Sequence, residues 1–256
     1  MWRDGIFPSR VISEDNMIWN ECVTVNSHDC DKNGFVRPTG LFRIVQEAAF
    51  FQLHTLGQDE TKMHKEDRAY IVSHIGIDVK APLRMGDRLS VHTWESGSTG
   101  VKFNRFYSVT KDGEEVVLGS CVCALIDTDT GRIMRVAESG YTFGTDDEWR
   151  EPSLSSRSAM NKELCYKEVG KYPVLYAFID RNAHMNNTCY ADMMFSALPD
   201  AADKVMTAIS VSYLRQAKLG DVLTLELAEQ DGVYYVKSVL PDGTLNAVAA
   251  IKAETV

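Results

Sequence analysis

The chain repeats itself, and that repeat constrains its fold more than any other feature. Ile75-Gly-Ile-Asp-Val-Lys-Ala-Pro-Leu-Arg-Met-Gly-Asp-Arg-Leu89 lines up with Ile209-Ser-Val-Ser-Tyr-Leu-Arg-Gln-Ala-Lys-Leu-Gly-Asp-Val-Leu223 at an offset of 134. Lys111-Asp-Gly113 meets Pro241-Asp-Gly243 at 130, and Asp31-Lys-Asn33 meets Asp180-Arg-Asn182 at 149. Three anchors in the same order indicate a duplication. The fall from 149 to 134 gives the first copy fifteen extra residues between its helix and its next strand.

Each copy reads as one long helix and several antiparallel strands. Alternation predicts a strand over 18–25. Pro38 and Thr39 introduce Leu41, Ile44, Val45, Ala48 and Ala49, spaced as one helix face that Phe50, Phe51 and Leu53 widen and Gly57 stops. The charged stretch 58–68 is read as a solvated loop rather than a lid. Strands are predicted over 71–79, 88–95, 101–111 and 116–127, with a hairpin at Asp112-Gly113 and a strand-like tail to Val136. Residues 146–161, with Pro152 and a run of serines, read as a linker.

The second half repeats the plan, with a strand over 171–179 and a helix over 188–198 that Pro199 ends. Strands follow over 207–214, 222–229, 233–240 and 245–253. The expected organisation is an N-terminal unit over 1–145, a linker over 146–161 and a C-terminal unit over 162–256. Its class is α+β.

Composition removes several function classes. A hydrophobic share of 45% and a charged share of 25% suit an ordinary globular protein. The first eighteen residues mix charged and apolar groups, so no signal peptide is expected, and no apolar run is long enough to span a membrane. Six cysteines without a C-x-x-C pair are expected as free thiols in a reducing cytoplasm. Cys121 and Cys123, two apart on a strand, are expected to share a buried face. A net charge of −9 without a basic block argues against nucleic acid. Neither metal-ligand spacing nor a Gly-rich phosphate loop occurs, so no metal and no cofactor are expected.

The chemistry-bearing stretch is 178–190. Asp180, Asn182 and His184 recur every second residue and would point to one side of an extended segment. Asn186 and Asn187 then suit a helix start. The first copy has Phe35 in the place of His184 and Arg37-Pro38 in the place of the asparagine pair. Only the second copy keeps the whole polar set, as in a duplicated enzyme with one surviving site.

Asp180-x-Asn182-x-His184-x-Asn186-Asn187-x-x-Tyr190, with Val211-Ser-Tyr213-Leu-Arg215-Gln216-Ala-Lys-Leu-Gly-Asp221, resembles the motifs of plant and bacterial acyl-ACP thioesterases. The helix-and-sheet plan, twice over, resembles the tandem hotdog fold. The resemblance covers essentially the whole chain. It implies hydrolysis of a fatty acyl thioester on acyl carrier protein, with Asp180, Asn182 and His184 at catalytic positions. Gln216 stands where the family commonly has a glutamate, and Ala217 where plant members have a cysteine.

Thioester hydrolysis needs an activated water and donors for the developing oxyanion. His184 is a candidate general base, with Asp180 fixing its tautomer or holding the water; the roles of the two can also be exchanged. Asn182 can donate its amide N–H to the carbonyl, beside backbone N–H groups at the helix start. Gln216 can position water or substrate. Cys189 is expected in the core. The partner, acyl carrier protein, is acidic, so Arg181, Arg215 and Lys218 are expected at the entrance. The resemblance places much of the acyl pocket in the first half, where Phe42, Phe50 and Phe51 supply apolar bulk.

The alternatives are an acyl-CoA thioesterase, a hydratase of the same fold, or a non-catalytic acyl-binding sensor. The two units of one chain can satisfy each other or pair again as a homodimer.

Overall fold

The computed structural model describes residues 11–12, 18–140, 150–155 and 164–256. Its first half runs β1 (Val11–Ile12), β2 (Trp19–Thr24), α1 (Pro38–Thr55), α2 (Glu60–Lys65), β3 (Arg68–Val79), β4 (Arg88–Glu95), β5 (Phe103–Lys111), β6 (Glu114–Asp127) and β7 (Ile133–Met134). The second runs β8 (Lys167–Pro173), α3 (Cys189–Phe195), β9 (Lys204–Tyr213), β10 (Val222–Gln230), β11 (Val233–Val239) and β12 (Leu245–Thr255).

All these strands join one antiparallel sheet in the order β1-β2-β4-β5-β6-β3-β9-β12-β11-β10-β8, with β7 on β6. From β2 to β8 the order is a palindrome in which each strand matches its duplicate. The centre is the β3–β9 pair, where Gly76 faces Ser210, Ile75 faces Val211 and Ile77 faces Ile209. Gly76 and Ser210 are 134 residues apart, the offset of the sequence repeat, so equivalent residues stand opposite each other. An antiparallel pairing of two copies of one strand gives a local two-fold axis, and here it passes through that pair. The tandem hotdog plan holds.

Helices α1 and α3 meet on one side of this sheet through equivalent residues. The Thr39 N–H donates to Asp192 Oδ1 at 2.8 Å, which caps the start of α1. The Thr39 hydroxyl donates to the Thr188 carbonyl at 2.9 Å, and the Asp192 N–H to Thr39 Oγ1 at 3.1 Å. One hydrophobic core runs through both halves, including Leu41, Phe42 and Ile77 from the first and Met193, Ile209 and Ile251 from the second.

Three elements depart from the expectations. The charged stretch is not a plain loop, because Asp59 Oδ1 accepts from the Thr61 and Lys62 N–H groups and starts α2. Met63 anchors it in a small cluster with Phe103, Leu125 and Met134. Helix α3 covers seven residues, and turns replace the helix expected over 196–198. The strand expected over 171–179 ends at Pro173, and a 3₁₀ turn follows over Tyr176–Phe178.

Much of the expected linker, 146–149 and 156–161, lies outside the described residues. The part over 150–155 crosses the outer face of the β3–β9 junction. Ser153 donates its N–H and hydroxyl to Asp78 at 2.7 and 2.8 Å, and Ser210 donates its hydroxyl to the Ser155 carbonyl at 3.0 Å. Leu154 is buried with Ala208, Val233, Val248 and Ala250. Gly76 leaves room for this crossing, since a Cβ there would stand 3.3 Å from the Leu154 carbonyl.

The first half also buries charge. Arg105 Nη2 lies 2.5 Å from Glu95 Oε1, while its Nη1 donates to Gln52 and, at 3.1 Å, to Thr93 Oγ1. Burial pushes the Glu95 carboxyl up, against the pull of Arg105. Cys121 and Cys123 have their sulfurs 3.5 Å apart in this interior, as their spacing predicts. No described helix is long and apolar enough to cross a membrane.

Candidate functional site

Residues 180–184 are not extended, so period-two alternation does not decide where their side chains point. Ile179 bridges Met185, the Asp180 N–H donates to the His184 carbonyl at 2.9 Å, and Ala183 takes φ 62°. The chain folds back on itself. Asp180 Oδ1 accepts the Asn182 N–H at 2.8 Å and the His184 N–H at 3.4 Å. The first copy folds alike: Asp31 Oδ1 accepts the Asn33 and Phe35 N–H groups at 2.8 and 2.9 Å, Gly34 has φ 78°, and Cys30 bridges Val36. Asp-x-Asn therefore encodes a turn in both copies, and the histidine is what the second adds.

The second motif meets this turn through the backbone. The Met185 N–H donates to the Ala217 carbonyl at 2.9 Å, just as the Val36 N–H donates to the Leu83 carbonyl at 2.9 Å. Asp180, Asn182, His184 and Gln216 thus come from two loops joined edge to edge. Asn182 and Gln216 are exposed, whereas Asp180 and His184 are half-buried. The Asp180 carboxylate bonds to backbone, not to the imidazole.

The two copies differ in what the turn's side chains do. In the first, Lys32 Nζ pairs with Asp203 at 2.7 Å and Asn33 Nδ2 donates to the Ala202 carbonyl at 3.1 Å. These bonds staple the duplicate loop to the α3–β9 connection. In the second, the side chains of Asn182 and His184 make no hydrogen bond among the described residues. In the first copy the helix itself is longer, 18 residues against 7, and the connection that follows it folds through α2. The stapled loop is closed, and its counterpart keeps an amide and an imidazole available.

The helix start offers less than expected. Asn186 Oδ1 accepts both the N–H and the hydroxyl of Thr188 at 2.9 and 2.8 Å, so it caps the turn into α3. The Cys189, Tyr190 and Ala191 N–H groups bond to the carbonyls of Asn186, Asn187 and Thr188. These four N–H groups are taken by the chain itself. Cys189 packs against the core, and burial raises its thiol pKa. Arg181, Arg215 and Lys218 are all exposed.

Two supporting residues carry no role in the motifs: Tyr213 lies within the second, and Asn246 lies outside both. Asn246, fully buried on β12, donates to the Arg215 carbonyl at 2.6 Å and to Tyr190 Oη at 3.2 Å. Its own carbonyl accepts the Leu214 and Arg215 N–H groups, both at 2.9 Å. Tyr213 donates its hydroxyl to the Asn187 carbonyl at 2.8 Å. Together they hold the Gln216 loop against the start of α3. At the matching position, 130 residues earlier, Val116 keeps a backbone bond from Lys80 but has no side-chain donor. A lone asparagine in the apolar run 245–251 was the available signal.

Two cavities flank α1. One of about 330 Å³ is lined by Ile44, Phe51, Val23, Arg43 and Glu47 among others. The other, about 560 Å³, lies at the stapled loop and is lined by Phe35, Arg37, Asp192 and Phe195 among others. Of the phenylalanines expected at an acyl pocket, Phe51 lines the smaller cavity, Phe42 is buried in the core and Phe50 is exposed.

Comparison with known proteins agrees with this architecture. Residues 17–142 match the acyl-ACP thioesterase N-terminal domain and residues 161–254 the C-terminal domain. A chloroplastic dodecanoyl-[acyl-carrier-protein] hydrolase of Cinnamomum camphora is 19% identical over 241 residues, covering 87% of this chain and 63% of that protein. The namesake from Umbellularia californica is 22% identical over 171 residues, 63% of this chain and 45% of that one. The chain thus spans under two thirds of the length of these relatives. Among solved structures, an acyl-ACP thioesterase from Bacteroides thetaiotaomicron superposes with a TM-score of 0.82 at 19% identity, covering 94% of this chain and 100% of the other. The 12:0-ACP thioesterase of Umbellularia californica gives 0.73 at 17% identity over 94% and 98%. With its two domain matches in order along nearly its whole length, the chain belongs to the acyl-ACP thioesterase family.

Proposed function

We propose that this chain hydrolyses the thioester of a fatty acyl group carried on acyl carrier protein. The observation that carries the reading is the asymmetry of the duplicated turn: one copy is stapled, and in the other the side chains of Asn182 and His184 make no hydrogen bond among the described residues. His184 takes a proton from water as the water oxygen bonds to the thioester carbon. The Asn182 amide N–H stabilises the oxyanion. Collapse breaks the C–S bond, the thiolate leaves with the proton held by His184, and the free fatty acid remains. Asp180 acts by holding the turn, since its carboxylate accepts the Asn182 and His184 N–H groups. Gln216, beside Met185, positions water or substrate. The first unit, 1–145, accommodates the acyl chain, and the second, 162–256, carries the chemistry. One chain holds both units, so the reading requires no homodimer. Six free thiols fit a reducing cytoplasm.

Hydrolysis of matched acyl-ACP and acyl-CoA series tests both activity and carrier. His184→Ala is expected to fold normally and to lose about 10²–10⁴-fold in turnover. Full activity in that variant would remove the mechanism. Faster turnover of acyl-CoA at equal chain length would replace the carrier.

A further inference from the structure

The turn that leads into the site exposes an apolar pair. Leu175 and Tyr176 are 53% and 84% exposed, and two backbone bonds between Val174 and the 220–221 turn, at 2.8 and 3.0 Å, bring Leu219 alongside, itself 59% exposed. The fold does not demand the pair. At the same place in the first copy, 149 residues earlier and also entering a 3₁₀ turn, stand Asn26 and Ser27. Leu219 does not differ in this way, because its counterpart Met85 is equally open at 61%.

The charge on the two segments that carry these side chains runs against that of the chain. Residues 171–184 and 214–222 hold the cations Lys171, Arg181, Arg215 and Lys218 but only the carboxylates Asp180 and Asp221. Both carboxylates are turned onto backbone, Asp180 as described and Asp221 Oδ2 to the Lys218 N–H at 2.8 Å. Asp242 stands near Arg215 and offsets part of its charge. Exposed apolar side chains rimmed by charge mark an association surface. A cationic rim on a protein of net charge −9 selects an acidic partner.

We infer that Leu175, Tyr176 and Leu219, rimmed by Lys171, Arg215 and Lys218, form the pad on which the acidic carrier protein docks to present its thioester to His184. This rests on the carrier-linked thioesterase reading above. The test gives the second copy the residues of the first, Leu175→Asn with Tyr176→Ser, and keeps Met85→Ser as a control on the duplicate face. The same acyl group is supplied on carrier protein and on pantetheine. The ratio of kcat/KM for the carrier over that for pantetheine should fall about ten-fold or more in the double variant and hold in Met85→Ser. Lys218→Glu should lower the same ratio most at low salt. Direct titration with holo-carrier protein reads docking without turnover, and the double variant should bind about ten-fold more weakly. Equal binding, an equal loss on both thioesters, or an equal effect of Met85→Ser would overturn the pad. A wild-type protein that cleaves acyl-pantetheine but not acyl-carrier protein would overturn the parent reading instead.

Discussion

Asp180 and Asn182 sit two residues apart yet differ in what their side chains bond. Asp180 holds two backbone N–H groups, as Asp31 does in a copy without the histidine, so its removal should cost stability as well as turnover. We expect Asp180→Ala to lower unfolding free energy by about 1–3 kcal/mol, read in urea, beyond any loss of activity. Asn182→Ala should leave the midpoint unmoved and lose about 10²–10³-fold in kcat. Equal destabilisation by both would contradict this division. His74 makes a further prediction. It is buried on the junction face with its Nδ1 3.1 Å from Ser212 Oγ, and burial holds its pKa at about 4 rather than 6.5. The unfolded chain then binds the proton first as pH falls. Stability should drop between about pH 6.5 and about 4, by at most about 3 kcal/mol, and level off below. His74→Asn should flatten that slope in urea midpoints measured across the range.

Among elements, β12 and the β4–β5 pair matter in different ways. Asn246 acts through the loop it holds, so Asn246→Leu should reduce turnover and raise KM while the fold persists at a cost of about 1–3 kcal/mol. The control is Val116→Ala, at the matching place in the first half, which should change stability alone. The Glu95–Arg105 pair lies beside α1, with Gln52 and Thr93 completing it. Removing one partner leaves a buried charge, so Arg105→Ala should destabilise by about 3–5 kcal/mol. Replacing both with Leu and Met should recover most of that loss in a thermal melt. A double variant as weak as the single one would show the pair to stabilise on balance.

At the scale of the molecule, the two halves share a sheet and a core. Ile77 and Ile209 face each other in the pair next to the local two-fold axis, both fully buried. Either change to Ala should cost about 2–5 kcal/mol, and the pair should deviate from additivity because they share one site. Unfolding should stay a single transition by fluorescence and circular dichroism. Two separated transitions would mean that the halves fold as independent units despite the continuous sheet.

Strand periodicity and the repeat were legible because both are local or self-referring. Arg88–Glu95 is a strand with the bounds its pattern predicts, and the 134 offset reappears as the register of β3 on β9. The turn of 180–184 was not legible, because alternation implies an extended segment until hydrogen bonds fold it back. Helix α2 hid behind charge, its capping by Asp59 outweighed by the look of a solvated stretch. By itself the sequence determined the duplication, the strand and helix order and the histidine present in one copy only. The tertiary structure alone decided which turn is stapled and which is open. That depends on Lys32 and Asn33 meeting residues about 170 positions away, a distance that local pattern cannot span.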